Sequence, residues 1–156
     1  MAGRQAAGAS PGNSGCSEPG RHVAVVDLKK KHLAQMIAHA RDEAPLEACG
    51  ILAGKQDRVV EVYRARNADC SPISYRLDPE EQYRIFVDIE DKGLDILGIY
   101  HSHPTSPAVP SNADLKQAYY PEATYFVVSL ADPAEAQVRA FRIADGEVTE
   151  EEMVVV

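Results

Sequence analysis

The stretch "DILGIYHSHP" (95–104) constrains this chain more than any other. Its apolar run predicts a strand over 95–103, and Pro104 blocks continuation. In a strand, side chains i and i+2 point to the same side. His101 and His103 therefore project together from the end of an apolar strand, and Ser102 points away. Two readings account for that placement: a chelate for a divalent ion, or coincidence at a strand end.

The elements around this strand define the fold class. "HVAVVD" (22–27) is β-branched and reads as a strand, with Asp27 placed to cap the next helix. In 28–44, Leu28, Leu33, Met36, Ile37 and Ala40 recur at helical spacing, and Pro45 stops the helix. His32 and His39 share a face of this helix and read as its solvated polar edge. Residues 46–54 and 58–67 read as strands joined into a hairpin through "GKQD".

In 76–93, Asp78 is the expected N-cap, Pro79 takes the first helical position and Glu81 completes a capping box. Gly93 ends the helix, and Tyr83, Phe86, Val87 and Ile89 are expected to face inward. Ser111 opens a short helix over 112–120, with Asp114 three positions on. Strands follow at 124–130, 137–143 and 147–156, the last two joined by an "ADGE" turn. The order is β-α-β-β-α-β-α-β-β-β. It predicts one α/β domain over 22–156, a mixed sheet with helices packed on it. Residues 1–21 are small and aperiodic and read as a flexible tail.

Bulk properties narrow the partners. The chain has 156 residues, 45% of them hydrophobic, enough for a respectable core. A net charge of -8 disfavours nucleic acid and anionic membranes. No apolar run reaches the ~18 residues of a membrane span, and the start of the chain lacks a secretory apolar core. The three cysteines (16, 49 and 70) include no CxxC pair. That excludes a zinc-ribbon or thioredoxin reading; Cys49 and Cys70 are expected as buried thiols in a cytoplasmic, reduced protein.

The chemistry lies at 101–114. The loop "TSPAVP" can fold back so that the next helix brings Asp114 to His101 and His103. Two histidines and one carboxylate leave a fourth tetrahedral position open, as in catalytic zinc sites. Hydrolysis also needs a base. Glu47, at the lip of the small, apolar "EACGILAG", is costly there without a task or partner. Ser111 could donate to an oxyanion or simply cap its helix.

Glu47 in "EACG", followed by "HSHP" with His101 and His103 and by "SNAD" with Ser111 and Asp114, resembles the JAMM (MPN+, or Mov34/MPN/PAD-1) metallopeptidase signature at every named position. The resemblance covers roughly 22–156. It implies a curved, cytidine-deaminase-like α/β fold, with one zinc ion per chain on His101, His103 and Asp114. It further implies Glu47 as general acid/base and Ser111 as support for the tetrahedral intermediate.

"EACGILAG", "YRLDPEEQ", "IYHSHP" and "FRIADGEVTEE" are similar to the compact prokaryotic branch, in particular to peptidases acting on a sulfur-carrier protein with cysteine on its C-terminus. That implies a ubiquitin-like partner ending in Gly-Gly. Isopeptide cleavage from lysine and a non-catalytic scaffold are the alternatives. The segment 65–77 either lines a substrate channel or is an ordinary loop. The terminal "MVVV" either joins its own sheet or pairs with a second copy as a homodimer.

Overall fold

In the computed structural model, residues 25–156 are described. The expected tail at 1–21 and the start of the first strand lie outside them. The strands are β1 (Val26–Leu28), β2 (Cys49–Lys55), β3 (Arg58–Ala65), β4 (Asp95–His103), β5 (Thr124–Ser129), β6 (Gln137–Ala144), β7 (Glu147–Glu151) and β8 (Met153–Val155). The helices are α1 (Lys30–Glu43), α2 (Pro79–Asp91) and α3 (Asn112–Lys116).

The strands form one mixed sheet in the order β7-β6-β5-β4-β2-β3-β1-β8. β4 lies within it, antiparallel to β2 and parallel to β5. Apolar strands such as β4 and β5 tolerate this position because both faces are covered. The outermost strands, β7 and β8, are separated in the chain by Glu152 alone. The sheet therefore curls until its two edges nearly meet.

Period-2 alternation divides the core between two faces. On one, Leu52, Tyr100, Phe126 and Val128 pack with Met36 and Ala40 of α1. On the other, Cys49, Ile51 and Ala53 pack with Ile85 and Ile89 of α2. Ile99, Tyr125 and Val127 join that side next to α3. Gly50 is paired with Tyr100 in the β2–β4 register. A Cβ at Gly50 would fall 2.3 Å from the Tyr100 ring, so the close approach needs glycine. The Asp145-Gly146 turn has positive φ at both residues, as a tight β6–β7 hairpin requires.

Several expectations are corrected. Leu28 belongs to β1, and the N-cap of α1 is Lys29 rather than Asp27. His32 and His39 are buried with Met36 and Ala40, not on a solvated edge. The His32 ring accepts the Lys29 N–H at the helix start. His39 Nδ1 meets the Tyr100 hydroxyl at 2.7 Å. Burial, helped by the Arg64 charge, lowers the His39 pKa to about 4, so the ring is neutral and fits a core.

In α2, Ile89 faces inward as expected and Ile85 joins it, while Tyr83 and Val87 are exposed. Asp78 caps the helix as expected, but Glu81 accepts the Arg66 N–H instead of closing a box. Helix α3 ends at Lys116, short of 120. Its last turn tightens, and the Tyr120 N–H turns to the Tyr125 hydroxyl. The final segment splits into β7 and β8, and β8 pairs in parallel with β1 of the same chain. Cys49 is buried, but Cys70 is exposed. No helix among the described residues is long and apolar enough to cross a membrane.

Candidate metal centre

β4 delivers His101 and His103 to the α2/α3 side of the sheet, two residues apart and both buried. The loop after Pro104 returns the chain to Ser111, which caps α3 and sets Asp114 in its first turn. The three meet at single atoms. His101 Nε2 lies 3.1 Å from His103 Nε2. Asp114 Oδ2 lies 2.9 Å from the former and 3.0 Å from the latter.

The donor set fits a divalent cation. His103 Nδ1 lies 2.8 Å from the Pro107 carbonyl, which can only accept, so that nitrogen carries the proton and Nε2 presents its lone pair. His103 Nε2 and the Asp114 oxygen are then both acceptors, and with His101 Nε2 they crowd one point in a buried site. A positive charge among them relieves the repulsion, and two histidines with one carboxylate are ligands zinc accepts. The same contacts shift the titrations of the three groups. Burial pushes the Asp114 carboxyl up, but the contacts with His101 and His103 and the Ser111 N–H hold it well below the usual range. Burial works against charge on His103, yet Asp114, the Pro107 carbonyl and the Glu47 charge raise its pKa overall. Burial dominates at His101 and lowers its pKa.

Glu47 precedes β2 rather than lying in it, unlike the expected strand start at 46. The β2–β4 register nonetheless places it. Cys49 pairs with His101, and the Ser102 N–H donates to the Ala48 carbonyl at 3.0 Å. Extended by two residues, that register sets Glu47 opposite His103, on the same face. Ser102, pointing to the other face as expected, accepts the Ala48 N–H on its hydroxyl at 2.7 Å. The side chain replaces the second ladder bond where the strands part. The Glu47 N–H donates to the Ser71 carbonyl at 2.9 Å, and its carbonyl accepts from Asn67 Nδ2 at 3.1 Å.

Glu47 is only 3% exposed, and its Oε1 has no hydrogen-bond partner among the described residues. Burial pushes its pKa up to about 8, with His103 opposing and Asp114 assisting. A carboxyl raised toward neutrality beside the His-His-Asp trio is a candidate for proton transfer. Ser111 is exposed at the rim. Its hydroxyl accepts the Asp114 N–H at 3.2 Å, and its own N–H donates to Asp114 Oδ2 at 2.8 Å.

The segment 65–77 is tied to this centre. Asn67 spends its amide on Glu47, Ser74, Asp69 and Arg76. Tyr75 stacks on His101 with ring centroids 4.4 Å apart. Neither residue stands out in the sequence. A buried asparagine and tyrosine inside an irregular stretch carry no periodic signal.

Residues 29–144 match the family described as prokaryotic homologs of the JAB domain. The CysO-cysteine peptidase of Mycobacterium tuberculosis is 43% identical over 136 residues, covering 86% of this chain and 93% of that protein. The probable TtuB-protein conjugate cleaving protease of Thermus thermophilus is 35% identical over 137 residues, 87% of each chain. The solution structure of protein DSY2949 from Desulfitobacterium hafniense superposes with a TM-score of 0.78 at 40% identity, covering 85% of this chain and 93% of that one.

Proposed function

The chain belongs to the family of prokaryotic JAB-domain proteins, hydrolases of the JAMM/MPN+ type, and from that premise we propose that it cuts the bond after the C-terminal Gly-Gly of a ubiquitin-like sulfur carrier, releasing cysteine and the carrier. The observation that carries this reading is the 43% identity to a CysO-cysteine peptidase across nearly all of that protein's length. The buried trio and the neighbouring carboxyl supply matching chemistry.

In this reading His101, His103 and Asp114 hold one zinc ion. When bound, zinc supplies Lewis acidity and lowers the pKa of a water to ~7. Glu47 accepts the proton of the attacking water and returns it to the departing amine. Its position opposite His103 places it beside the trio, and the upward push of burial on its pKa suits return of the proton to the amine, while a bound cation would favour the carboxylate that accepts it. Ser111, capping α3 from an exposed position, presents its hydroxyl to the oxyanion. A tail ending in two glycines offers no side chains to obstruct its approach to these buried groups. The protein acts in the cytoplasm, where its free thiols stay reduced.

The Thermus relative, named for cleaving TtuB–protein conjugates, favours a second reading, isopeptide cleavage at lysine. Both substrates present the same glycine carbonyl. The test incubates the full chain with a carrier–cysteine adduct and with a carrier–lysine conjugate, with and without chelator, read by mass spectrometry. Chelator-sensitive release of cysteine is expected. Cleavage of the lysine conjugate alone would replace the first reading with the second, and cleavage of neither would remove both.

A further inference from the structure

The two histidines of the trio are supported differently. His103 fixes its ring by the Nδ1 contact to Pro107, the usual outer partner of a metal-binding histidine. His101 has no such partner among the described residues, where its Nδ1 is buried and unbonded. Its polar contacts among the described residues are confined to Nε2, which meets Asp114 Oδ2 and His103 Nε2 within the trio and leaves the far side of the ring unsupported. What lies against it is Tyr75, stacked at 4.4 Å with 15° between the planes, itself 3% exposed.

We infer that Tyr75 is a positioning residue, whose ring face takes the place of the missing hydrogen bond and holds His101 in the plane that aims Nε2 at the ion. A stack fixes the plane but not a half-turn about the Cβ–Cγ bond. The contact of Nε2 with Asp114 Oδ2 at 2.9 Å selects between those two, and a bound cation would favour the same choice. The roles are therefore divided: Tyr75 removes the tilt, and the Nε2 contacts within the trio remove the flip. The hydroxyl has no part in this, so phenylalanine should serve as well.

The inference rests on the reading of the trio as a metal site, and the test separates the two. The full chain is stripped of metal, and zinc affinity is measured by competition with a chromophoric chelator. The d–d absorption of the cobalt form is recorded in parallel. Tyr75→Leu should bind zinc ~10–100-fold more weakly, the range for losing an outer partner of a ligand, with an altered cobalt spectrum. Tyr75→Phe should match the parent in both. Tyr75→Met, flexible and without a ring face, should behave like leucine and replaces it if that variant does not fold. Parental affinity in folded Leu or Met variants would overturn the inference alone. Equal weakening in Phe would also overturn it, because the hydroxyl would then be responsible. No zinc binding by the parent chain would overturn the metal-site reading and this inference with it.

Discussion

Replacing Glu47 with glutamine removes an ionisable oxygen and leaves the side-chain volume almost unchanged. A positioned general base contributes ~10²–10⁴ in rate. The expected loss in kcat is therefore ~2.7–5.4 kcal/mol of barrier. Metal content should not change, because the contacts defining the trio involve only His101, His103 and Asp114.

Stability should move the other way. Folding raises the Glu47 pKa from 4.5 to about 8. Between those values the folded metal-free chain keeps a proton that the unfolded chain releases, so stability falls as pH rises through that window. At pH 7 the linkage cost is of order 3 kcal/mol at most. Glutamine carries no charge at any pH. Metal-free Glu47→Gln should therefore melt at or above the parent at pH 7, and the difference should shrink toward pH 4.5. The assay pairs peptidase rates and metal analysis with melts of both metal-free proteins from pH 4.5 to 8. Activity within ~10-fold of the parent would refute the assignment of the base. Parallel loss of metal would make Glu47 a ligand instead.

Asp114→Ala should lower zinc affinity by more than the ~10–100-fold typical of an outer partner, measured by chelator competition; full metal content would exclude Asp114 as a ligand. Ser111→Ala should lose about 1 kcal/mol of helix capping, seen in the melting temperature. It should also lose ~10²-fold in kcat if the hydroxyl meets the oxyanion; a lower melting point with unchanged kcat would leave it a cap only. Ser102→Ala strands the buried Ala48 N–H and should destabilise by ~1–3 kcal/mol in denaturant melts, with Ser102→Thr recovering part of that. An undiminished Ser102→Ala would mean the parting of β2 and β4 needs no clamp.

The meeting of His101, His103 and Asp114 is legible in the sequence because each step has a local cause. Strand alternation puts the two imidazoles on one side, prolines turn the chain, and Ser111 starts a helix whose first turn carries Asp114. Glu47 is visible as a misplaced charge, but its position opposite His103 depends on β2–β4 register, which only the assembled sheet sets. The sheet's curvature is expected, whereas the separation of β7 from β8 is not. "EVTEEEMVVV" reads as one strand until the sheet closes and hands Met153–Val155 to β1.

The histidines of α1 escape for a related reason. Helical spacing shows that His32 and His39 share a face, but that it is buried depends on the sheet packed against it, which also brings the distant Tyr100 hydroxyl to His39. The same holds in α2, where period points Ile89 inward as found but cannot choose Ile85 over Tyr83 and Val87. Tyr75 and Asn67 lie in an irregular segment, where sequence offers no direction for a side chain.

The most direct test is a crystal structure of the zinc-loaded chain with anomalous data at the zinc edge. One peak per chain should lie ~2.0–2.2 Å from His101 Nε2, His103 Nε2 and Asp114 Oδ2, with the Glu47 carboxyl outside the coordination shell. An ion bound elsewhere, or Glu47 among its direct ligands, would contradict the account.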